Sequence, residues 1–581
     1  MAQAASSVVY EGLKITVPRV SAFSYCFPAG LDAKDNSPAF IDASTDTQLT
    51  RGEVKDKALK LAYSLRTLSS LSHGEDLTEN SSFLIFSPNH LLYPIVTLAS
   101  LASGVPIACA SAASVPKDLV HCIDVTKASF YVVHPALLPV FVQAMELRGV
   151  GPSDYVKRTV VLFSTPDTPK EYGTVSELIE SGKLSSPMSF DGEKAKTSNI
   201  WFFSSGTTGL PKAVEISHFN IVAQSVSAHR MDMFRKSESC IMSTPFPFFH
   251  VAAGIHCAFY PLSDAIPVVI WSAIGFNMEA YLGGLAKYKV SATAVAPPIV
   301  AALVVHPAVA TTNLSRLERM ISGAAPVPPH LLKKCSDRLK PLASQNFALC
   351  PAFGMSETCS MISMSMTAIE TGKLETVGTL NPGVSARIVD IEKGCDVKAG
   401  EIGELWLKGD CIMNGYLGNS RATVETMTND GWLQSGDVGR IDEDGYIYIL
   451  DRLKEMIKYN GFQVPPAELE AVLAAHPAIA DAGVIGVLAP DGFTELPKHV
   501  SYTITSDFDS TNQLKSTTLP NEIAEWVSAR VARHKQLRGG IVLVKTIPRS
   551  PAGKILRKDL RALDKQPTAS SKSNNSPLAK L

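Results

Sequence analysis

The chain has 581 residues, with 54 Lys+Arg against 55 Asp+Glu, and 45% of it is hydrophobic. A net charge of −1 excludes a basic nucleic-acid binder or a polybasic membrane-surface protein as the leading reading, and the length leaves room for more than one core. Ten cysteines lie scattered from Cys26 to Cys411 with no C-x-x-C pair and no His/Cys cluster at ligand spacing, so neither a disulfide framework nor a zinc site is expected and a reducing compartment is.

The N-terminus lacks a charged flank followed by a continuous apolar core, so it does not read as a secretory signal. Glu53 to Leu71 reads as a helix, and the apolar runs Ser81 to Phe86 and Thr159 to Phe163 read as strands. This alternation continues to about Leu450 and predicts a layered α/β body over residues 1–450. Val290 to Val305 is the most apolar stretch, but it is shorter than a spanning helix and carries Pro297 and Pro298. It is expected in the protein core, with no transmembrane segment.

A turn at Asp444-Gly445 joins two β-like runs, Val438 to Ile441 and Tyr446 to Leu450. The charged segment Asp451 to Glu455 then reads as a hinge into a smaller unit, 451–564. Residues 565–581 contain no aromatic side chain and are rich in Ser, Asn, Pro and Lys, so they are expected to be disordered. Their last three residues, Ala579-Lys580-Leu581, match the small-basic-Leu form of a peroxisomal address read by an import receptor.

The strongest local signal is the run FFSSGTTGLPKAVE, Phe202 to Glu215. An apolar strand enters a loop of glycines and hydroxyls and leaves through a lysine. Gly206 and Gly209 allow close backbone approach, and Ser204, Ser205, Thr207 and Thr208 can donate to phosphate oxygens. It is not a G-x-x-x-x-G-K loop, because Leu210 and Pro211 stand before Lys212.

This run resembles the phosphate loop of the adenylate-forming enzymes: acyl- and aryl-CoA synthetases, including the 4-coumarate-CoA ligase type, peptide-synthetase adenylation domains and beetle luciferases. Six more segments similar to that family's motifs follow in its order: Phe246 to Gly254, Ser322 to Pro326, Pro351 to Glu357, Gly431 to Asp437, Asp451 to Gln463, and Ile547 to Arg557. The resemblance spans roughly Ser21 to Leu563. It implies an α/β fold with a large N-terminal body of flanking sheets plus a distorted β-barrel, and a small mobile C-terminal α+β lid.

The implied activity is that of an AMP-forming acid-thiol ligase using ATP, Mg²⁺ and CoA. By the same resemblance His250 meets the substrate carboxylate and α-phosphate, and Ala325, Ala352 and Phe353 line the adenine, with Phe353 lacking the usual tyrosine hydroxyl. Ser356 turns a hydroxyl toward phosphate, Glu357 holds Mg²⁺, and Asp437 and Arg452 hold the ribose. Lys454 is the hinge, Lys458 and Gln463 give catalytic support, Asn460 and Gly461 face CoA, and Lys554 is the adenylation lysine. His250, Ala252, Gly323 and Pro351 line the acyl group. Small residues from Ala252 to Gly254, where hydroxycinnamate ligases carry an aromatic, imply a widened pocket for a bulky or extended acid, whether fatty, aryl-alkanoic or from secondary metabolism.

A luciferase-like oxygenase shares every one of these motifs, and two further readings remain at this level. One is an enzyme that loads a carrier protein, although no carrier-like segment follows Lys554. The other is a non-catalytic nucleotide-binding relative, which predicts loss of Lys554, Glu357 or Asp437; all three are present. For the C-terminal tripeptide the expected outcome is specific. Removing Ala579 to Leu581 leaves activity intact and disperses a fluorescent fusion from puncta into the cytosol; a fusion that stays punctate contradicts the address.

Overall fold

Phe83–Phe86 is buried at every residue, yet its side chains divide between two cores. Phe83 and Ile85 belong to one cluster, whereas Leu84 and Phe86 belong to another. Period-2 alternation gives a strand two faces, and a parallel strand covered by helices on both sides reads as apolar throughout. The structure, a computed structural model, describes residues 8–68, 82–204, 210–233, 240–272, 275–460, 462–489, 494–503, 513–544, 546–550 and 553–564. The chain divides into two units, Met1–Ile449 and Leu450–Leu581.

In the larger unit Phe83–Phe86 lies inside an eight-stranded sheet. Its order is Gly415–Tyr416, Lys212–Ser217, Ser198–Ser204, Ile107–Ala110, Phe83–Phe86, Phe130–Val133, Thr159–Val161, Gly173–Thr174. The strands from Ser198–Ser204 onward run parallel, while Lys212–Ser217 returns antiparallel to Ser198–Ser204. A nine-stranded sheet contains the parallel run Ala348–Met355, Arg319–Ser322, Ala292–Val295, Met242–Thr244, Val268–Ile270, Pro38–Asp42. Residues of both sheets share the largest core cluster with the helices Arg51–Thr67, Leu92–Ser103 and His218–Arg230. The opposite faces are covered by Pro116–Thr126 and Leu138–Leu147 on one sheet and by Met278–Lys287, Pro297–Val305 and Pro329–Leu339 on the other. The body is therefore α/β in alternating layers.

Sequence expectations and observed elements differ in instructive places. The first long helix runs Arg51–Thr67, started by a reciprocal cap in which Thr50 Oγ1 accepts from Glu53 N and Glu53 accepts from Thr50 N. Its expected end near Leu71 lies outside the described residues. Val290 to Val305 forms the strand Ala292–Val295 and the helix Pro297–Val305, which buries Pro297, Val300 and Leu303 but leaves Val305 74% exposed. No helix among the described residues is long and apolar enough to cross a membrane. A third sheet of the larger unit has the order Tyr10–Glu11, Val384–Val389, Gly403–Gly409, Leu433–Ile441, Ile447–Arg452. Among the described residues it is an open sheet, and no closed barrel is found where the sequence resemblance implies a distorted β-barrel. One face only is apolar, through Val384, Ala386, Ile388, Leu405 and Leu407, so nothing in its pattern demands closure.

The smaller unit contains the hairpin Ile457–Tyr459/Phe462–Val464 and a three-stranded sheet of Ile479–Leu488, Glu495–Thr503 and Ile541–Leu543. Helices Pro466–Ala474, Gln513–Ser528 and Arg557–Asp564 complete it. Its most heavily charged interior point is Arg557, whose Nη1 lies 3.1 Å from Glu455 Oε2 and whose Nη2 donates to Glu470 Oε1 at 2.7 Å. Arg557 Nε donates to Val484 O, and Val484 N donates back to Glu470 Oε1. Asp451, also buried, accepts from Arg452 N and Ala467 N. One guanidinium thus serves three carboxylates. Burial pushes the Glu470 carboxyl up to about 7, opposed by Arg557 and reinforced by Asp451.

Removing the guanidinium while keeping the acids, as in Arg557→Met, strands buried charge and should cost about 3–5 kcal/mol of the smaller unit's stability. A pH signature accompanies it. The folded pKa of Glu470 exceeds the ordinary value of 4.5, so its contribution is complete below that value and is lost as pH rises through about 7. Between about pH 5 and pH 8, the melting temperature of the wild type should therefore fall relative to Glu470→Gln. A difference that does not change with pH contradicts the assignment.

Candidate functional site

Ser198–Ser204 and Lys212–Ser217 pair so that Lys212 lies opposite Ser204, which places the hydroxyl and the ammonium-bearing residue at the mouth of one hairpin. Ser204 Oγ is buried and has no hydrogen-bond partner among the described residues. The loop residues Ser205, Gly206, Thr207, Thr208 and Gly209 lie outside the described residues. His121, on Pro116–Thr126, fixes the outgoing limb: its Nε2 donates to Pro211 O at 2.7 Å.

Lys212 Nζ stands 3.9 Å from the centroid of the Tyr416 ring. Tyr416 OH in turn donates to Glu357 Oε1 at 2.9 Å. Glu357 is buried, and among the described residues no lysine or arginine lies within ion-pair distance of it. An ammonium over a ring face and a phenol on a carboxylate make one continuous electrostatic chain across three distant sequence segments. Tyr416 was missed by sequence reasoning. Its only sequence signal is the Asn414-Gly415 turn before it, and nothing there announces a partner at residue 357.

Glu357 sits in the turn Ser356–Thr358 after the strand Ala348–Met355, and this turn contacts the strand Ser198–Ser204. Gln224, buried in His218–Arg230, donates its Nε2 to Thr358 O at 2.8 Å and Met361 O at 3.1 Å. Between those carbonyls Cys359 and Ser360 take left-handed φ values of 53° and 111°. For residues with a Cβ that conformation is strained and must be held by its surroundings.

Pro351, Ala352 and Phe353 belong to the same strand, and Ser322 pairs with Pro351 on its neighbour. Gly323 follows immediately. A Cβ there would lie 3.1 Å from Ala352 O, so glycine allows the two backbones to approach. Ala324 has φ +70°, and Ala325 is half-buried in the turn beyond.

His250 caps the helix Val251–His256: its Nδ1 accepts from Ala252 N at 3.3 Å. Burial pushes its imidazole down to about 4, so near neutral pH it is uncharged. With Nδ1 occupied as an acceptor, the single proton belongs to Nε2, which is therefore a donor. The bend before His250 is pinned from the other sheet. Asn89 Oδ1 accepts from Phe248 N at 2.7 Å and Asn89 Nδ2 donates to Phe246 O at 3.0 Å. Asn89 too escaped sequence reasoning, since a lone Asn after a strand is an ordinary turn residue.

The expectation that Ala252, Ala253 and Gly254 all widen a pocket is corrected. A Cβ at Gly254 would lie 2.6 Å from the Phe202 ring and 2.8 Å from Phe248 O, so Gly254 is small to admit a neighbouring side chain. Ala253 is buried, and Ala252 is the one residue of that helix left partly open.

Asp437 lies within the strand Leu433–Ile441 and is buried, its backbone N donating to Ser435 Oγ. In the smaller unit, Lys458 and Gln463 face each other across the hairpin, both exposed. Asn460 turns that hairpin with φ +46°, a conformation that Asn tolerates, and its N donates to Thr494 Oγ1. Gly461 lies outside the described residues. Arg452 ends the strand Ile447–Arg452, and Lys454 is exposed beyond it. Lys554 is half-buried, with its N donating to Ser550 Oγ. Arg549 holds that loop, donating to both Asp481 carboxylate oxygens at 3.0 and 2.6 Å and to Gly553 O at 2.6 Å.

Glu357, Tyr416 and Lys212 thus form one linked group, and a neutral His250 begins the helix Val251–His256. The AMP-binding enzyme family matches residues 29–417, and the AMP-binding enzyme C-terminal domain matches residues 468–554. The chain belongs to the AMP-binding enzyme family. It is 31% identical to 4-coumarate--CoA ligase 1 of Solanum tuberosum over 93% of either chain. With the peroxisomal OPC-8:0-CoA ligase 1 of Arabidopsis thaliana it shares 30% identity over 90% of either chain. The fold is similar to that of ATP-bound MatB from Rhodopseudomonas palustris, with a TM-score of 0.77, 21% identity, and coverage of 94% of this chain and 99% of that one.

The Tyr416 link is testable without any substrate. Tyr416→Phe removes one donor from a buried carboxylate and should cost about 1.5–3 kcal/mol in denaturant unfolding. Glu357→Gln should suppress most of that cost, giving a coupling above about 1 kcal/mol in a double-mutant cycle. Additive single effects contradict the link.

Proposed function

We propose that the protein is an AMP-forming acid-thiol ligase: it activates a carboxylic acid as acyl-AMP with release of pyrophosphate from ATP, and then transfers the acyl group to the thiol of CoA. The Glu357–Tyr416–Lys212 chain beside the Ser204 hydroxyl carries this reading, in a family member whose curated relatives bear CoA ligase names over about nine-tenths of its length.

The chemical problem is the meeting of two anions. A carboxylate must approach the α-phosphorus of a triphosphate, so positive charge and hydrogen-bond donors must be in place beforehand. Lys212 supplies a charge at the hairpin mouth, and Ser204, Ser205, Thr207, Thr208 and the amides of Gly206 and Gly209 would wrap the phosphates. Ala325, Ala352 and Phe353 would line adenine, Ser356 would face phosphate, and Asp437 and Arg452 would hold the ribose.

His250 is suited to the meeting point. As a neutral Nε2–H donor it can bond an oxygen of the incoming carboxylate or of the α-phosphate. No full positive charge is then left beside the carbonyl when AMP departs. Ala252, Gly323 and Pro351 would border the acyl group.

A buried carboxylate without a cationic partner fits Mg²⁺, which takes few protein oxygens and completes its shell with substrate phosphates and water. Glu357 would hold it. When bound, the ion supplies positive charge to the phosphate oxygens. Among the described residues no group of three or more His, Cys, Asp or Glu could hold a metal.

Lys554 would serve the first half-reaction. Lys458 and Gln463 would support the chemistry, and Asn460 and Gly461 would face CoA in the second, with Lys454 as the hinge between the two arrangements of the smaller unit. No covalent enzyme nucleophile is needed, because acyl-AMP is itself the activated ester. The peroxisomal name of one relative supports the same compartment for this chain.

Half-reaction kinetics test the reading. Lys554→Ala should lower acid-dependent pyrophosphate release by at least about 100-fold while thioester formation from supplied acyl-AMP changes far less. Equal losses in both steps contradict the division of labour, and pyrophosphate release without thioester in the presence of CoA contradicts the acid-thiol reading.

A further inference from the structure

Lys554 ends a short loop whose two limbs are tied together by backbone bonds. Leu556 N donates to Pro548 O, Ser550 N donates to Lys554 O, and Gly553 N donates to Ser550 O. Gly553, immediately before the lysine, is buried and takes a left-handed φ of +84°, which glycine adopts without strain. Such bonds fix the shape of the loop but not its attitude to the rest of the smaller unit.

That attitude is set by two arginines, one on each limb, that grip a single strand. On the incoming limb Arg549 donates from Nε and Nη2 to the two Asp481 carboxylate oxygens at 3.0 and 2.6 Å. On the outgoing limb Arg557 donates from Nε to Val484 O at 3.2 Å. Asp481 and Val484 both belong to Ile479–Leu488. The remaining nitrogen of Arg549, Nη1, donates to Gly553 O at 2.6 Å. Lys554 N donates to Ser550 Oγ at 3.2 Å. The peptide that enters Lys554 is therefore held by side chains at both its oxygen and its N–H.

A lysine carries its charge on a flexible four-carbon stem, so it delivers that charge accurately only from a fixed backbone. The planar guanidinium suits the fixing, because its donors leave in set directions and can take a carboxylate with one edge and a carbonyl with the other. Each of the three nitrogens of Arg549 already donates to a protein oxygen, so its charge is committed within the unit.

We infer that Arg549 is a positioning residue for Lys554: by clamping the Gly553–Lys554 peptide to Asp481 it aims the lysine for acid activation, with no contact of its own to the reacting atoms. The inference rests on the role given to Lys554 in the acid-activation reading above.

The experiment uses the full-length enzyme, with 4-coumarate, octanoate and benzoate as first probes and the fastest acid taken forward. Arg549→Met should lower kcat for acid-dependent pyrophosphate release by about 10- to 100-fold, the scale of a misaimed catalytic group, with the KM for ATP little changed. Thioester formation from supplied acyl-AMP should change by less than about threefold. Arg549→Lys, whose ammonium can still reach one carboxylate oxygen and one carbonyl, should recover part of the loss. Asp481→Asn, which loosens the clamp and keeps the arginine, should reproduce the selective loss and stands in if the methionine variant melts early.

The deciding measurement repeats Arg549→Met in the Lys554→Ala enzyme. A residue that acts through the lysine has nothing left to aim there, so the residual pyrophosphate release should not fall further. A loss of the same size with and without Lys554, or equal losses in both half-reactions, overturns the inference and leaves the acid-activation reading standing. Undiminished release by Lys554→Ala overturns the inference together with the role of that lysine, and no acid-dependent release with any carboxylic acid overturns the whole reading.

Discussion

Two largely parallel sheets, each apolar on both faces, impose the constraint on which the larger unit depends. A strand such as Phe83–Phe86 has no polar face to offer, because Phe83 and Ile85 enter one core while Leu84 and Phe86 enter another. Polar chemistry is then confined to the carboxyl ends of the strands and the loops beyond them. Ser204 ends Ser198–Ser204, Gly323 follows Arg319–Ser322, Glu357 follows Ala348–Met355, and His250 follows Met242–Thr244 after a short bend. Asn89, just after Phe83–Phe86, joins the edge of one sheet to that of the other by bonding Phe246 and Phe248. These strand ends and the loops beyond them carry the candidate site residues of the larger unit.

The same constraint governs how charge is kept. In the larger unit a carboxylate is buried with a phenol for company, and Lys212 rests on that phenol's ring, so the three side chains form one chain. An ammonium paired directly with Glu357 would neutralise both before any substrate arrived. In the smaller unit the opposite solution appears. Arg557 gathers Asp451, Glu455 and Glu470, tying the segment after Ile449 to the helix that follows Lys554. The second arrangement consumes its charge within the smaller unit, which fits a structural role.

Much of the larger fold was legible because strand alternation and glycine or proline punctuation are local properties. The runs Ser81 to Phe86 and Thr159 to Phe163 announce strands by composition, and strands form at Phe83–Phe86 and Thr159–Val161. Legibility stopped where a residue's meaning depends on a partner far away in the chain. Tyr416 lies 59 positions from Glu357 and Asn89 lies 159 from Phe248, and each is an unremarked residue until the sheets assemble. Gly254 shows the converse. Read as one of three small residues opening a pocket, it proves to be small because the Phe202 ring occupies its place.

The sequence by itself determined the family, the α/β class and the order of the chemical segments, since these follow from residue type and spacing along the chain. Only the tertiary structure decided that the third sheet stays open, that Lys212 and Glu357 meet through Tyr416, and that Arg549 joins Asp481 to the peptide entering Lys554. The physical reason is the same for all three. Burial, hydrogen-bond satisfaction and free space are properties of neighbours in three dimensions, and a one-dimensional pattern records a residue's chemistry without recording what surrounds it.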